Sequence, residues 1–438
     1  MTLRSATRSR RGPVCSDCEQ SDEGNVEHPI GLETDAGFVV ATGIECSAPM
    51  VGARRQDELR KTGHWVRYAE DFSLICSLGV RFVRYGIPYH VVDTGTGRFD
   101  WEWTDRALDA LRSEGLEPIA DLLHFGVPDD LLGVGDPRLP DRFAAYAAAF
   151  AERYPWIRYY TPVNEPLVCA VLSAGLGWWN ERRSDDESLV AAIDALCASA
   201  ILGSEAIRSR RPDAIFIQSD ACEMYLPATP EAASRVEFLN ARRFVAYDLT
   251  YGRVPPAQVT AWLGRSGMTD ARLAWFAERG SDDGCIVGLD YYRGNEWSVT
   301  AEGLARPARR RSGFARLARQ YHAHLGLPFM LTETNIEGPT VARWLAETWD
   351  DTLVLRDEGL PIRGYCWYGF IDHVDWDSGL RRDRGRVNPC GLAGLDRVLH
   401  PVADTYGRLA RATALGQPPL LGSRTSRRYR RDHRNLAA

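Results

Sequence analysis

Eight short apolar segments recur along the chain, and most are followed by a stretch whose apolar residues have helical spacing. The segments span residues 37–44, 80–85, 116–123, 157–163, 214–219, 285–291, 327–332 and 362–367. Helical patterns lie between or after them at 68–78, 103–113, 141–153, 189–210, 341–357 and 401–412. Eight strand–helix units in one chain predict an α/β fold: a single-domain (β/α)8 TIM barrel with a closed parallel sheet and an outer ring of helices.

The predicted barrel covers residues 29–418. Residues 1–28 and 419–438 lack periodicity, so we expect a disordered leader and a disordered basic tail that contains six arginines from Arg424 to Arg434. Residues 224–283 are longer than one strand–helix unit requires, which predicts a helix and loop insertion near the mouth of the barrel.

Composition limits the partners that such a chain would have. The net charge is −6, which favours neither nucleic acid nor an anionic membrane as a partner. The sequence contains no run of about 18 apolar residues, so it predicts no membrane-spanning helix. A secretory signal would require an apolar stretch after the basic N-terminus, and none follows it. We therefore expect a cytoplasmic protein; a solvated Arg-rich tail is favoured over one that binds nucleic acid. The sequence does not indicate an oligomeric state.

The cysteines and the short motifs argue against a cofactor. Ten cysteines are scattered, which favours free thiols. Cys15 and Cys18 form a single C-x-x-C without a second pair, a weak zinc signal. There is no Gly-rich phosphate loop between a strand and a helix and no H-E-x-x-H, so we expect neither a metal nor an organic cofactor.

Polar and aromatic residues follow almost every predicted strand. In a barrel of this kind the carboxyl ends of the strands meet at one mouth, where catalytic residues collect. The residues that end the strands, in chain order, are Glu45, Arg84, His124, Asn164, Glu165, Asp220, Asp290, Tyr291, Tyr292, Glu333 and Trp367.

Glu165 and Glu333 end the fourth and seventh strands, on opposing walls of the predicted barrel. Glycoside cleavage needs two such carboxyl groups, one protonated to donate to the leaving oxygen and one ionised to attack the anomeric carbon. Arg84 is a candidate to keep Glu333 ionised, and Asn164 a candidate to bind a sugar hydroxyl. The alternative for any one glutamate is a salt bridge at the rim of the barrel.

Several tryptophans lie in or near the predicted loops of the mouth, where indole rings could pack against the apolar faces of sugars. Any single one of them is more often part of a core. The seven are Trp101, Trp103, Trp178, Trp179, Trp297, Trp367 and Trp376.

Six sequence elements, in order, resemble glycoside hydrolase family 1 over about residues 30–412. T-P-V-N-E-P at 161–166 resembles its T-x-N-E-P acid/base motif, and T-E-T-N at 332–335 its T-E-N-G nucleophile motif. V-R-Y at 83–85 resembles R-F-S, H-F at 124–125 resembles H-W, and D-Y-Y at 290–292 resembles N-Y-Y. The block from Trp367 to Trp376 resembles W-S-L-x-D-N-F-E-W, with one additional residue.

The resemblance implies a role for each matched residue. Glu165 would be the acid/base and Glu333 the nucleophile, with Arg84 and Tyr292 in contact with it. Sugar-binding positions would fall at His124, Asn164, Trp367 as a stacking residue, Asp375, Trp376 and, near a family glutamine, Glu45. Asp290, Phe125 and Asp375 depart from the family residues Asn, Trp and Glu, which puts the sugar specificity in doubt more than the chemistry.

The sequence therefore predicts a retaining β-glycosidase that hydrolyses β-glucoside-like substrates through a covalent glycosyl-enzyme intermediate. A transglycosylase with the same site and a catalytically inactive carbohydrate-binding barrel are the alternatives. The partner in each case is a small-molecule carbohydrate.

Overall fold

Eight parallel strands close into a barrel in chain order. The computed structural model describes residues 37–95, 97–424 and 427. The barrel strands are β1 Val39–Ile44, β2 Phe82–Gly86, β3 Glu117–Asp121, β4 Tyr159–Thr161, β5 Ile215–Ala221, β6 Cys285–Asp290, β7 Phe329–Glu333 and β8 Ile362–Tyr368. β1 pairs with both β2 and β8, which closes the sheet. The (β/α)8 fold and all eight predicted strands are confirmed.

Helices surround the barrel and fill its connections. They are α1 Glu58–Lys61, α2 His64–Ser77, α3 Tyr89–Val92, α4 Glu102–Ser113, α5 Leu139–Arg153, α6 Pro166–Ala170, α7 Asp186–Arg208, α8 Ala233–Arg242, α9 Val245–Thr250, α10 Ala257–Arg265, α11 Asp270–Arg279, α12 Phe314–Leu325, α13 Val341–Asp357 and α14 Pro401–Ala414. Short elements are the π-helix Val171–Gly175 and the 3₁₀ turns Pro230–Ala232 and Trp376–Ser378. Three small sheets pair Met50–Val51 with Arg54–Arg55, His373–Val374 with Val387–Asn388, and Glu296–Val299 with both Met224–Pro227 and Ala305–Pro307.

Side chains that alternate along each strand fill the interior of the barrel, as the period of two requires. The interior cluster is apolar and consists of Val39, Ala41, Phe82, Ile119, Tyr159, Ile215, Ile217, Ile286, Met330 and Cys366. Side chains of the other parity face the helices and join the larger core. The interior is therefore a packed core below the mouth and not a channel.

The insertion predicted at 224–283 contains helices α8 to α11 and one strand of the three-stranded sheet. Next to it, α7 is the one helix among the described residues that is long and apolar enough to cross a membrane. However, 67% of the most apolar 18-residue window of α7 is buried within the protein. The core helix of a barrel passes the same test, so the composition of α7 is weak evidence for a membrane span.

None of the eight cysteines among the described residues is in a disulfide, and seven of them are buried. Cys15 and Cys18 lie outside the described residues, as does the whole predicted leader 1–28. The first part of the predicted tail lies against α13: Trp349 Nε1 donates to the carbonyl oxygen of Pro419 at 2.8 Å, and Leu421 N donates to Asp350 at 2.6 Å. Most residues after 424 lie outside the described part of the chain.

Candidate active site

A polar layer lies directly above the apolar interior, because on several strands the inward-facing side chain changes from apolar to polar two residues further along. Phe82 is followed at this spacing by Arg84, and Ile119 by Asp121. The same spacing leads from Ile217 to Ser219. These side chains are buried, with 1% of Arg84 and 1% of Asp121 exposed. The strand period thus builds a polar floor at the carboxyl ends of the strands, where barrel active sites lie.

Glu333 is the last residue of β7, next to an irregularity in the pairing of β7 with β6. Arg84 Nη1 donates to Glu333 Oε1, and Tyr292 Oη donates to Glu333 Oε2 at 2.6 Å. The side chain is 5% exposed. Both oxygens therefore accept a hydrogen bond, one from a guanidinium, and both contacts stabilise the carboxylate anion.

Glu165 directly precedes α6 and lies four residues after the end of the strand β4. Pro166 occupies the first helical position, where a missing N–H costs nothing, and it disfavours a right-handed helical backbone at Glu165. Glu165 has φ 41° and ψ 61°, in the left-handed region, and its N–H donates to Ser219 O at 3.0 Å. The sequence N-E-P thus turns the chain from strand to helix at the residue whose side chain lies in the mouth.

Among the described residues, the Glu165 carboxyl has no guanidinium partner like the one that holds Glu333. Burial raises the pKa of Glu165 well above its usual range, and the neighbouring Asp290 and Glu333 raise it further. The residue is 8% exposed. These surroundings favour the protonated form of the Glu165 carboxyl.

A hydrogen-bonded network around Arg84 joins the Glu333 carboxyl to Asn164 and Ser219. Arg84 Nη2 donates to Asn164 Oδ1 at 2.5 Å and to Ser219 Oγ at 3.0 Å. Asn164 Nδ2 lies 3.1 Å from His124 Nε2, and His124 Nδ1 lies 2.8 Å from Asp121 Oδ2. The Asn164 amide and the His124 ring are held by these contacts at the mouth, where a sugar hydroxyl would meet them.

Asp290 is a third carboxyl in this layer. It ends β6, is fully buried, and its Oδ1 accepts from Thr332 Oγ1 at 2.6 Å. Its Oδ2 has no hydrogen-bond partner among the described residues. Burial raises the pKa of Asp290 well above its usual range, and Glu333 adds to this effect. An amide residue in this position would carry no charge, so Asp290 adds a proton-binding group to the site.

Glu45 directly follows β1 and Trp376 lies in the loop after β8, and their sugar contacts stay predictions. Glu45 Oε1 accepts from Ser47 N at 2.9 Å, and Glu45 Oε2 lies 3.9 Å from His373 Nε2. Trp376 packs edge-on against the buried Trp179 at 6.1 Å. Trp376 Nε1 and His373 Nε2 are buried and have no hydrogen-bond partner among the described residues.

Trp367 is not at the mouth, and the prediction that it stacks against a sugar is wrong. Its side chain is fully buried, its Nε1 donates to Cys390 O at 3.0 Å, and its ring packs on Tyr406 of α14. The alternation along β8 explains this, because Cys366 faces the interior and Trp367 therefore faces the helices. Tyr368 takes the inward position, with its ring 5.4 Å from the Arg84 guanidinium.

Asp375 does not present its carboxylate to the mouth, which corrects a second sequence prediction. Its side chain is fully buried, and its oxygens accept from the backbone N–H groups of Arg384, Gly385 and Arg386 at 2.9–3.1 Å. Lys61 Nζ donates to it at 3.1 Å. The shorter aspartate side chain is thus used to fasten the loop after β8.

Two more of the predicted tryptophans lie away from the mouth. Trp103 stacks on Trp65 at 4.4 Å, and Trp101 stacks on Tyr146 at 5.9 Å, both among the helices. Trp178 and Trp179 follow α6 and contact the loop after β8, since Trp179 Nε1 donates to Gly379 O at 2.9 Å.

Sequence reasoning missed five residues of this site. Asp121, Ser219 and Tyr368 could have been found by extending the inward parity of each strand to its end. No pattern in the sequence pointed to His373 or to a thiol in the pocket. The five are Cys46, Asp121, Ser219, Tyr368 and His373.

Comparison with known proteins agrees with this geometry. The model of glycosyl hydrolase family 1 matches residues 53–251. Thermostable beta-glucosidase B of Thermobispora bispora is 25% identical over 367 residues, which is 74% of this chain and 75% of that protein. Coniferin beta-glucosidase of Pinus contorta is 32% identical over 123 residues, 25% of this chain and 23% of that protein. The beta-glucosidase of Thermotoga maritima in complex with castanospermine superposes with a TM-score of 0.73 at 17% identity, covering 86% of this chain and 97% of that one.

A closed barrel that brings two buried carboxyls together at its mouth, with these relatives, defines the class: the protein is a glycoside hydrolase. Within that class the family model, matched over residues 53–251, and the related β-glucosidase sequences support glycosyl hydrolase family 1, and the solved barrels share the fold of this chain. The resemblance predicted from the six sequence elements is thereby confirmed.

Proposed function

We propose that the protein is a retaining β-glycosidase of the β-glucosidase type, with Glu333 as nucleophile and Glu165 as acid/base. One observation carries this proposal: the two carboxyls lie in opposite electrostatic settings. Glu333 accepts from Arg84 and from the Tyr292 hydroxyl, while burial and like charges raise the pKa of Glu165. A pair of carboxyls with separated proton affinities is the requirement for this reaction.

In the first step a Glu333 oxygen forms a bond to the anomeric carbon while the bond from that carbon to the leaving oxygen breaks. Glu165 gives its proton to the leaving oxygen, so the aglycone departs as a neutral alcohol. The Tyr292 hydroxyl and the Arg84 guanidinium orient the attacking carboxylate.

In the second step Glu165, now ionised, takes a proton from a water molecule. The water oxygen forms a bond to the anomeric carbon, and the bond to Glu333 breaks. This returns Glu333 to its carboxylate form and Glu165 to its acid form, and the sugar leaves with the configuration of the substrate.

The groups that read the sugar are those whose polar atoms face the mouth. Asn164 and His124 are fixed by the Arg84 and Asp121 network, and Trp376 Nε1 and His373 Nε2 have no hydrogen-bond partner in the described part of the chain. Glu45 adds an acceptor beside His373. The names of the sequence relatives, β-glucosidases, support a β-glucoside as substrate.

A panel of aryl β-glycosides tests the proposal. The purified protein is assayed with the gluco, galacto, fuco, xylo and manno compounds, and NMR follows the configuration of the first sugar released. We expect the highest kcat/KM for the gluco compound and a β-configured first product. An α-configured first product would mean inversion, and no turnover with any member of the panel would favour the inactive carbohydrate-binding barrel.

A further inference from the structure

Three side chains at the floor of the pocket bring a thiol, an imidazole and a carboxylate together. Cys46 follows β1 by two residues, Asp121 ends β3, and His124 lies three residues further on. One donor atom from each lies within 4.8 Å of the other two, and all three residues are buried. The loops after two different strands thus converge on one point.

The donor types indicate which cation such a point would hold. Clusters of carboxylates favour hard cations such as Ca²⁺ and Mg²⁺. Sulfur and ring nitrogen favour Zn²⁺ and similar thiophilic ions, for which one carboxylate oxygen is an ordinary third ligand. A site with three protein ligands leaves the fourth tetrahedral position for water.

Asp121 has one oxygen that the protein does not use. Oδ2 contacts His124 Nδ1 at 2.8 Å and Arg84 Nη2 at 3.0 Å. Oδ1 is buried and has no hydrogen-bond partner among the described residues. A buried oxygen without a partner is costly, and a cation would satisfy it.

The charge at this point suits a cation. Arg84 brings one positive charge, and the carboxylates of Asp121 and Glu333 that contact it bring two negative charges. Glu45, directly before Cys46, adds a third acidic group. The net charge of these four groups is therefore negative, although one of them is a guanidinium.

The packing places the thiol in the pocket with little freedom to move away. Cys46 Sγ occupies the space that a Cβ on Gly86 of β2 would take, so the strand accepts the thiol only because residue 86 is glycine. On its other side Cys46 Sγ lies 3.9 Å from Tyr368 Oη, and the Tyr368 ring is parallel to that of His124 at 5.9 Å. These contacts hold the thiol within the layer that faces the sugar.

We propose that Cys46, Asp121 and His124 form a binding site for a thiophilic divalent cation of the zinc class at the floor of the sugar pocket. A bound cation engages His124 and occupies the space beside Asn164, so it excludes the sugar. The inhibition, but not the binding, rests on the proposed glycosidase function.

Cobalt(II) is the probe for binding, because it replaces zinc and reports its ligands in the absorption spectrum. Protein freed of metal with a chelator is titrated with Co²⁺ without any substrate present. We expect a sulfur-to-cobalt charge-transfer band, with saturation at one equivalent and bleaching when Zn²⁺ is added. A spectrum without a sulfur band would overturn the proposal, whatever the hydrolase activity.

Variants locate the band. Cys46→Ser and Cys46→Ala should lose it and bind Zn²⁺ at least about tenfold more weakly in calorimetry. Cys76→Ser is the matched control, because Cys76 is the exposed thiol on α2; this variant should keep the band. A band that survives at Cys46→Ser, or that disappears at Cys76→Ser, assigns the cation to another thiol. If neither Cys46 variant folds, the titration is repeated with a chain that begins at residue 26 and so lacks Cys15 and Cys18; the absence of a sulfur band from that chain would overturn the proposal.

Kinetics test the consequence for the sugar. With an aryl β-glucoside, Zn²⁺ should raise KM and leave kcat unchanged, as expected when cation and sugar exclude each other. A fall in kcat at constant KM would place the cation elsewhere. If the protein hydrolyses none of the glycosides, the proposed function fails, and the cobalt titration still decides the metal site.

Discussion

Glu165 and Glu333 show how the surroundings of a residue set its role. Glu333 accepts hydrogen bonds from a guanidinium and a phenol, so its charge is stabilised. Glu165 is buried among other carboxyls, which raises its pKa. Sequence alone could name both residues, because N-E-P and T-E stand at strand ends. The difference in surroundings depends on Arg84, Tyr292 and Asp290, which come from other strands.

The two glutamates should fail differently when they are replaced. Glu333→Gly removes the nucleophile, so turnover should collapse for every substrate; azide in the vacated space should yield an α-configured glycosyl azide. Glu165→Ala should lose about 10²–10⁴-fold in kcat with poor leaving groups. Dinitrophenyl glycosides should still form the intermediate and show a burst, and azide should then yield a β-configured product. NMR of the two azide products makes the measurement.

Reversed configurations of these products would require the roles of Glu165 and Glu333 to be exchanged. Unaffected turnover in both variants would place the catalytic site elsewhere. Circular dichroism of each variant provides the control for folding.

Asp290→Asn should move the alkaline limb of the profile of kcat/KM against pH. Glu165 must be protonated to act, so activity is lost as the pH rises through its pKa. A like charge at Asp290 raises that pKa, and the amide removes the charge. The limb should therefore shift to lower pH.

The control for this measurement is Asp248→Asn. Asp248 is a buried residue on α9 whose carboxylate forms a hydrogen bond with His324, away from the mouth. Its profile should match that of the wild type. An unchanged or upward-shifted limb in Asp290→Asn would show that Asp290 does not raise the proton affinity of Glu165.

At the scale of elements, the strand period determined which predictions held. Arg84 and Asp290 lie on the inward parity of their strands and reach the site. Trp367 lies on the outward parity of β8, so Tyr368 occupies the inward position that the prediction gave to Trp367. The sequence carried this information, since the block ending at Trp376 has one additional residue when it is counted from Trp367 and none when it is counted from Tyr368.

The loop after β8 depends on one side chain in a way that no sequence pattern showed. Asp375 accepts from three successive backbone N–H groups and from Lys61. Hydrogen bonds of this kind need the loop to fold back on the residue that starts it. Such a return cannot be read from local spacing, which is why Asp375 was assigned to the sugar.

Asp375→Ala should loosen this loop without unfolding the barrel. The loss of a buried acceptor for three N–H groups should cost about 1–3 kcal/mol in the free energy of unfolding. Limited trypsinolysis should become faster at Arg381, Arg382, Arg384 and Arg386, as mass spectrometry of the fragments would show. Asp383→Ala is the control, because Asp383 lies 3.7 Å from the exposed Arg54 and anchors little. Equal cleavage rates in both variants would contradict the anchoring role.

At the scale of the whole molecule, the alternation of apolar segments was sufficient to predict the barrel. Each strand lies within about two residues of its predicted range, because a buried parallel strand reads as a continuous apolar run. The end of the fold was less predictable. Residues 419–423 have the composition of a disordered tail. The backbone N–H groups of Leu421 and Ser423 nevertheless donate to the buried carboxylate of Asp350 on α13.

Chains shortened at the C-terminus should therefore separate two effects. A chain of residues 26–424 should keep the kcat and the unfolding free energy of the full chain, because residues 1–25 have the composition of a segment that buries little apolar surface. A chain of residues 26–417 loses the partners of Asp350 and of Trp349 Nε1. Because this leaves a fully buried carboxylate without donors, the free energy of unfolding of the shorter chain should fall by at least about 2 kcal/mol, as measured by chemical denaturation. Asp350→Asn should recover part of that loss in the shorter chain and destabilise the longer one.

Equal stability of the two shortened chains would show that residues 418–424 contribute nothing to the barrel, and a fall in kcat for residues 26–424 would show that a terminus reaches the site.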